Sequence, residues 1–256
     1  MLILGRGRIG GALAAHPSGE GLALGRADDW SPLETANAPI VVATRNDDLD
    51  AVIDRVPAVR RAALVFVQNG MLRPWLATRG LADATRGLLF FAVSRRGDTP
   101  VPGGPSPFTG PRAEEVVAWL EGMNLPARVV SPEDFAEVEL EKLVWNCAFG
   151  LLCEALDAPV GEIVDAHGET FESLARELIA LGSGPLGLSP DHDAMIERLA
   201  AYSRSIADYR GAVKEWAWRN GWFVGLATGA GTYAGSAHRR LLEAAGRDPQ
   251  DGQRPD

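Results

Sequence analysis

The sequence predicts a doubly wound α/β domain followed by an all-helical domain. Short apolar runs alternate with helical patterns over the first half of the chain. A Gly-x-Gly-x-x-Gly loop, residues 5–10, joins the first apolar run to the first helix. From Ser131 onward the pattern is helical only. Because continuous apolar strands separated by helices indicate a parallel sheet covered on both faces, we expect this sheet in domain 1–125 and helices in domain 126–256.

The expected strands of the first domain are short and apolar. They are Met1–Leu4, Leu22–Leu24, Pro39–Ala43, Ala62–Val67 and Gly87–Val93, with a further edge strand at Ala127–Val130. Helices are expected at Ile9–Ala15, at about 46–55 and at Ala113–Leu120. Residues Gly97–Pro111 are dense in Pro and Gly, which predicts a loop or a loosely paired hairpin.

The second half opens on a strong helix start. Ser131 can cap the helix, Pro132 suits its first position, and two acids follow at the positive end of the helix dipole. This helix is expected to run to about Leu156. Further helices are expected at Glu169–Leu181, Asp191–Ala200, Asp208–Asn220 and about Thr232–Ala245, and residues Gly246–Asp256 are expected to form a frayed tail.

Composition excludes several classes of protein. The 256 residues carry 34 acidic against 25 basic side chains, a net charge of −9, which argues against a nucleic-acid partner. Cys147 and Cys153 lie six residues apart on different faces of one helix, so we expect no disulfide and a reducing compartment. No signal peptide and no apolar run of about 20 residues is present, so we expect a cytoplasmic protein without a membrane partner. We also expect no metal site, because the four histidines lack ligand spacing: His16, His167, His192 and His238.

The glycine loop is the first chemical signal. It reads Gly5-Arg6-Gly7-Arg8-Ile9-Gly10, directly after a strand and at the start of a helix, which is the context of a dinucleotide-binding loop. The first Gly permits the tight turn, the second lets the backbone approach a pyrophosphate, and the third lets the helix pack on the strand. The helix N-terminus offers unpaired N–H groups to the phosphates.

Two arginines bear on which dinucleotide binds. Arg26 follows the second strand, where a carboxylate would accept from an NAD ribose and a cation would pair with the 2′-phosphate of NADP. The sequence therefore favours NADP(H), although Asp28 and Asp29 follow closely and a shifted strand end would reverse the preference. Arg45, after the third strand, is a second candidate for the adenosine phosphate and is equally well explained as a solvated loop cation.

Other polar groups admit both a functional and a structural interpretation. Gln68-Asn69-Gly70 follows the fourth strand, where polar groups serve function in open sheets, but Asn-Gly also favours turns. Lys142 and Asn146 share a helix face, and a desolvated Lys can act as a general acid. Lys142 could instead pair with Glu139 at the surface. Ser203 and Ser205 are expected between two helices, and Glu215 in the second of them, before Asn220-Gly221.

Taken in order, these residues resemble one family, the ketopantoate reductases (2-dehydropantoate 2-reductases). The resemblance implies a Rossmann domain joined to a helical domain like that of 6-phosphogluconate dehydrogenase, with the active site in the cleft between them. It implies that Lys142 is the general acid and that Asn69, close to the cofactor, and Asn146 orient the reacting oxygen. It further implies that Ser203 binds the substrate carboxylate and that Glu215 binds polar groups of the substrate.

The resemblance implies that the chain is a short and divergent member of this family. A second Asn often found one turn beyond the first is Gly150 here, and the usual Ser-Ser-Met stretch reads Tyr202-Ser203-Arg204. Trp216, Trp218 and Trp222 crowd the region of Glu215. These departures imply a reshaped substrate pocket.

The function implied is an NADPH-dependent reductase that transfers hydride to a 2-oxo acid or related carbonyl. One alternative is reduction of an imine or another natural-product intermediate. A second is a catalytically silent NADP-binding sensor. The partners expected are a small-molecule substrate and a second copy of the chain, and the sequence names neither the substrate nor the stereochemistry.

Overall fold

The computed structural model describes residues 1–247 and divides into two compact units. The first is Met1–Phe135 and the second begins at Ala136. Of the expected tail at 246–256, residues 248–256 lie outside the described part of the chain. No helix within residues 1–247 is long and apolar enough to cross a membrane.

The first unit contains a mixed, mostly parallel sheet. Its elements in chain order are β1 (Leu2–Leu4), α1 (Arg8–Ala15), β2 (Leu22–Leu24), α2 (Pro32–Thr35), β3 (Ile40–Val42), α3 (Leu49–Arg55), β4 (Leu64–Phe66), α4 (Arg73–Thr78), β5 (Thr85–Gly87), β6 (Phe91–Ala92), β7 (Val101–Pro102), β8 (Ser106–Thr109), α5 (Ala113–Glu121) and β9 (Ala127–Val129). The strand order of the main sheet is β2-β1-β3-β4-β5-β8-β9. The first five strands run parallel, β8 is antiparallel to β5, and β9 is parallel to β8. The sheet therefore extends past residue 125, where the sequence placed the domain boundary.

Burial explains why the central strands read as unbroken apolar runs. Every residue of β1, β3 and β4 is buried, because helices cover both faces of the sheet. On one face Ile3, Val41 and Val65 pack with Phe108 and with residues of α1 and α5 in one apolar cluster. The predicted doubly wound α/β fold is confirmed.

The prediction of a strand at Gly87–Val93 is wrong. The strand of the main sheet is β5, which ends at Gly87, and β6 then pairs with β7 in a separate hairpin. The segment Gly97–Pro111 also contains a strand of the main sheet, since β8 is buried throughout and pairs with β5. A Cβ at Gly87 would lie 2.1 Å from the Phe108 ring, so glycine is what permits this close pairing. The Pro and Gly content of the segment concealed the strand.

The second unit is helical, as predicted. Its helices are α6 (Pro132–Leu156), whose first turn belongs to the first unit, α7 (Val160–Ala166), α8 (Gly168–Leu186), α9 (His192–Ser205), α10 (Asn220–Gly229) and α11 (Ala237–Ala244). Helix α8 is central, because α7, α9, α10 and α11 all contact it. A 3₁₀ turn, Trp216–Trp218, precedes α10.

The predicted helix at Asp208–Asn220 is wrong. Residues 209–214 are irregular, and α10 begins only at Asn220. The carbonyls of Ala207 and Tyr209 accept hydrogen bonds from the first N–H groups of α7, at 3.0 and 2.9 Å. The Val213 N–H donates to the Glu154 carboxylate at 3.0 Å. Because these backbone groups are used by α6 and α7, they are unavailable for a helix of their own.

Candidate active site

The glycine loop connects β1 to α1, and its three glycines meet different surroundings. Gly5 has φ +111°, and a Cβ there would lie 2.8 Å from the Ala43 carbonyl oxygen. A Cβ at Gly10 would lie 2.1 Å from the Gly5 carbonyl oxygen. At Gly7 nothing lies within 4 Å of that position. Packing therefore requires the first and third glycines, whereas the second faces open space, as a pyrophosphate-binding loop needs.

The strand order brings three predicted cofactor segments to one edge of the first unit. Strand β1 lies between β2 and β3, so the chain order reverses at this point of the sheet. The glycine loop, Arg26 and Arg45 follow the carboxyl ends of these three parallel strands. In open α/β sheets ligands bind outside such a reversal point. The residues present therefore fit a dinucleotide.

The carboxylates after β2 are already engaged. Strand β2 ends at Leu24, as predicted. The Asp28 carboxylate accepts from the Gly25 N–H at 2.6 Å and pairs with Arg6 at 2.8 Å. Arg26 is 84% exposed and pairs with Asp48 at 2.6 Å. The cation faces solvent, while Asp28 is committed to holding the loop.

Arg45 occupies the corresponding position after β3. It is largely exposed, with a long ion pair to Asp47 at 3.7 Å. This geometry is compatible with both interpretations given by the sequence, a phosphate ligand and a solvated loop cation.

The Gln-Asn-Gly segment is fixed to the same edge of the sheet. The Gln68 amide donates to the carbonyls of Val42 and Thr44, at 2.8 and 3.2 Å. The buried Asn46 side chain donates to the Asn69 carbonyl at 2.9 Å. These bonds tie the ends of β3 and β4 together and leave the Asn69 side chain half-buried at the surface of the first unit. No sequence pattern indicates the positioning role of Asn46.

Lys142 and Asn146 lie one turn apart on α6 of the second unit. The Asn146 amide donates to the Lys142 carbonyl at 2.8 Å, so the two residues are held on one face. Lys142 is half-buried. Burial of its ammonium group and, secondarily, the nearby Arg219 guanidinium lower the pKa of Lys142 from 10.5 to about 7. An amine with this pKa can exchange a proton near neutral pH.

Arg219 and Glu215 complete this group, which we call the Lys142 cluster: Lys142, Asn146, Glu215 and Arg219. The prediction that Glu215 lies in a helix is wrong. It has φ +47° and stands before the 3₁₀ turn at Trp216. Its carboxylate pairs with Arg219 at 2.6 Å, and Arg219 donates to the Asn146 side-chain oxygen at 3.4 Å. Arg219 was missed by the sequence analysis, although a Glu and an Arg four residues apart are a recognisable charge pair.

Ser203 lies in the last turn of α9 rather than between helices. The side chain is fully buried. Its hydroxyl donates to the Leu199 carbonyl at 2.9 Å and accepts from the Trp145 indole N–H at 3.0 Å. Ser205 also belongs to α9, and its hydroxyl donates to the Tyr202 carbonyl at 2.7 Å. The predicted role of Ser203 in substrate binding stays a prediction, and the contacts seen here give the hydroxyl a structural role.

Aromatic rings surround Trp145. Its ring centroid lies 5.6 Å from Phe149, 5.3 Å from Tyr202 and 5.8 Å from Tyr209. Tyr202 and Tyr209 are about half exposed. This side of α6 is therefore apolar next to the Lys142 position.

Steric crowding explains why position 150 is a glycine. A Cβ at this position would lie 2.7 Å from the Ala212 carbonyl oxygen. The irregular segment before Glu215 crosses α6 at this point, and a Cβ at Gly211 would in turn lie 3.1 Å from the Gly150 backbone. An asparagine at position 150 would displace that segment. The backbone of the segment fills the space that the asparagine side chain would need.

No three His, Cys, Asp or Glu side chains within residues 1–247 are grouped to hold a metal ion. Cys147 and Cys153 are free, buried thiols, and burial raises the pKa of both.

Comparison with known proteins shows the class of fold. No family model and no curated protein matches the sequence. Solved structures match it over almost its whole length. The chain is similar to a dimeric ketopantoate reductase from Staphylococcus aureus, with 13% identity, a TM-score of 0.71 and coverage of 96% of this chain and 98% of that one. It is similar to 2-dehydropantoate 2-reductase from Geobacter metallireducens GS-15, with 21% identity, a TM-score of 0.68 and coverage of 96% and 98%.

A third likeness is to a D-mandelate dehydrogenase solved with NADH. The identity is 14%, the TM-score 0.70, and the match covers 96% of this chain and 97% of that one. The chain therefore has the two-part fold of the ketopantoate reductases, a Rossmann sheet followed by helices. The resemblance in fold stated from the sequence is confirmed.

Proposed function

We propose that the protein is an NADPH-dependent reductase that transfers hydride to the carbonyl carbon of a 2-oxo acid or a related carbonyl compound. The observation that carries the proposal is the Lys142 cluster. It presents an amine with a pKa lowered to about 7 beside a fixed amide. A protein that only binds a dinucleotide has no use for such an amine.

The first unit would hold the cofactor. Gly7 leaves room for the pyrophosphate, and the N–H groups at the start of α1 would face it. Arg26 and Arg45 would pair with the 2′-phosphate of the adenosine end, which favours NADPH over NADH. Bound NADPH supplies the hydride. Asn69, held by Asn46 at the edge of the sheet, would lie beside the cofactor and orient the reacting oxygen.

The second unit would supply the proton. As hydride reaches the carbonyl carbon, the carbonyl oxygen gains negative charge and needs a proton. The Lys142 ammonium would donate one proton to this oxygen, become a neutral amine, and regain a proton from water. The Asn146 amide would orient the same oxygen, and Glu215 would accept hydrogen bonds from polar groups of the substrate.

The surroundings of Lys142 favour a substrate with an apolar side chain. Trp145, three residues after Lys142 on α6, packs against Tyr202 and Tyr209. Two turns after Lys142 on the same helix, Gly150 offers no amide. Among the structural neighbours, the dehydrogenase named for D-mandelate handles an aryl-substituted acid. We propose that a 2-oxo acid with an aryl or branched apolar substituent is reduced faster than one with a hydroxylated chain.

Purified protein should be tested with NADPH and a panel of 2-oxo acids that includes ketopantoate, aryl, branched and hydroxylated members. We expect loss of the absorbance of reduced nicotinamide with at least one member, at a rate about 10²–10⁴-fold lower for the Lys142→Ala variant. Binding of NADPH without oxidation by any member of the panel, or by a parallel panel of imines, would favour the sensor alternative. Size-exclusion chromatography with light scattering would test the proposed homodimer.

A further inference from the structure

Arg219 is a buried cation of the second unit. Its exposed fraction is 8%. The guanidinium contacts Glu215 at 2.6 Å and the Asn146 oxygen at 3.4 Å, and within residues 1–247 its buried Nε–H has no hydrogen-bond partner. Because burying a charge costs several kcal/mol unless it is well paired, an incompletely paired arginine is retained at a cost in stability.

The backbone at Glu215 is also in an unfavourable conformation. Glu215 adopts the left-handed conformation, with φ +47° and ψ +51°. This conformation is unfavourable for a non-glycine residue and tends to occur at functional sites. The turn that follows is locked, since a Cβ at Gly221 would lie 2.7 Å from the Trp216 indole nitrogen. The bend brings the Glu215 carboxylate into contact with the Arg219 guanidinium although no α-helix joins the two residues.

Arg219 fixes the orientation of the Asn146 amide and acts electrostatically on the Lys142 amine. The Asn146 oxygen accepts from Arg219 while its NH₂ group donates to the Lys142 carbonyl, so the amide orientation is fixed at both ends. The positive charge of Arg219 acts on the Lys142 amine. Of the other charges, Glu215 is paired with Arg219 and Glu141 of α6 is paired with Arg198 at 2.7 Å, while the carboxylate of Glu139 on α6 is buried.

We propose that Arg219 is a positioning residue for Lys142: its guanidinium holds the Asn146 amide and the Glu215 carboxylate in place, and its charge keeps the Lys142 amine ready to exchange a proton. The catalytic meaning of this inference rests on the proposed function. Its electrostatic content does not, because it concerns the lysine of the free protein.

The composition of the chain allows a direct test. Lys142 and Lys214 are its two lysines. Protein labelled with ¹³C at the lysine Cε positions therefore gives two side-chain signals, and exposed Lys214 is an internal reference. The titration of each signal with pH should be followed by NMR in the wild type and in four variants: Arg219→Met, Arg219→Lys, Glu215→Gln and the double variant Arg219→Met/Glu215→Gln. In Arg219→Lys the introduced lysine gives a third signal, which is identified by its absence from the wild type.

We expect Lys142 to titrate near 7 in the wild type. Arg219→Met should move the Lys142 midpoint upward by about one pH unit, because a nearby positive charge is lost. Arg219→Lys should restore most of the wild-type midpoint, and Glu215→Gln should move it downward, because the neutralising carboxylate is lost. The double variant removes both charges together, so its midpoint should lie above that of Glu215→Gln. This comparison tests the loss of the arginine charge if Arg219→Met alone fails to fold.

The inference would be overturned if the Lys142 midpoint does not differ between the wild type and Arg219→Met, or between Glu215→Gln and the double variant. If reductase activity is found, the pH at which kcat is half-maximal should shift with the NMR midpoint. If the midpoints shift as expected and no carbonyl compound is reduced, Arg219 still positions Lys142 and the proposed function alone fails.

Discussion

The glycine loop of the first unit and the Lys142 cluster of the second are built in different ways. The loop is six consecutive residues, and close contacts within the loop and with the end of the neighbouring strand require glycine at Gly5 and Gly10. The cluster joins α6 to a turn 73 residues further along the chain. A site of the first kind is encoded by local spacing, while a site of the second kind exists only once the fold has brought its members together. Mutations should therefore act on the two in separable ways.

The largest separation is expected at Lys142. Lys142→Ala removes the proton donor, and general acid catalysis of this kind contributes about 10²–10⁴-fold. We expect kcat to fall by that order, with NADPH affinity nearly unchanged because the glycine loop is intact. Steady-state kinetics on a working substrate and a fluorescence titration of NADPH measure the two quantities.

Lys214→Ala is the matched control, since it removes the other lysine at an exposed position. This control should retain wild-type turnover. Near-normal turnover of Lys142→Ala would refute the assigned role, and a fall in activity that only follows a fall in Tm would make Lys142 a structural residue.

Gly7→Val is expected to have the opposite effect. A Cβ at Gly7 meets no atom of the protein within 4 Å, so the fold should tolerate valine, whereas the pyrophosphate should not. We expect unchanged Tm and loss of measurable NADPH binding in calorimetry. Gly10→Ala is the contrasting control, because its Cβ would collide with the Gly5 carbonyl oxygen and should lower Tm. Unchanged NADPH affinity in Gly7→Val would place the dinucleotide site elsewhere.

The same comparison explains what could be predicted from sequence. The fold class, the glycine loop and the spacing of Lys142 and Asn146 follow from local patterns, and of these the fold is confirmed. The helix around Glu215 was mispredicted because the backbone groups of residues 207–213 bond to α6 and α7, which periodicity does not reveal. Arg219 and Asn46 were missed because their importance comes from contacts with residues distant in the chain.

A third prediction concerns the fold of the second unit rather than its cluster. His238 is fully buried, and its Nε2–H donates to the Asn220 oxygen at 2.8 Å. Within residues 1–247 the ring's other nitrogen has no hydrogen-bond partner. Burial therefore lowers the pKa of His238 from 6.5 to about 4. Below pH 6.5 the unfolded chain takes up this proton before the folded chain does, so stability is full above pH 6.5 and falls as pH decreases towards 4.

The accumulated loss should be about 3 kcal/mol of unfolding free energy at and below pH 4. Urea denaturation at a series of pH values, compared between wild type and His238→Gln, isolates this contribution from those of the carboxylates. The difference between the two proteins should change with pH only between about 6.5 and 4. A difference that is constant over this range would show that His238 is not buried as a neutral ring. Because the window lies below the midpoint expected for Lys142, acid unfolding and loss of activity should be distinguishable.

The smallest expected effect lies at the rim of the cofactor edge. Arg26 is exposed, and an exposed ion pair contributes at most about 1 kcal/mol, so Arg26→Ala should weaken NADPH binding roughly fivefold. NADH lacks the 2′-phosphate, so its affinity should change little. The loss for NADPH should also shrink as salt rises, since exposed charges are screened. Arg45→Ala separates the two arginines: the same selective loss would make both phosphate ligands, and no loss would leave Arg45 a solvated loop cation. Equal losses of NADPH and NADH affinity in Arg26→Ala would show instead that the arginine supports the loop through Asp48, which it contacts at 2.6 Å, and the preference for NADPH would then have no basis at this position.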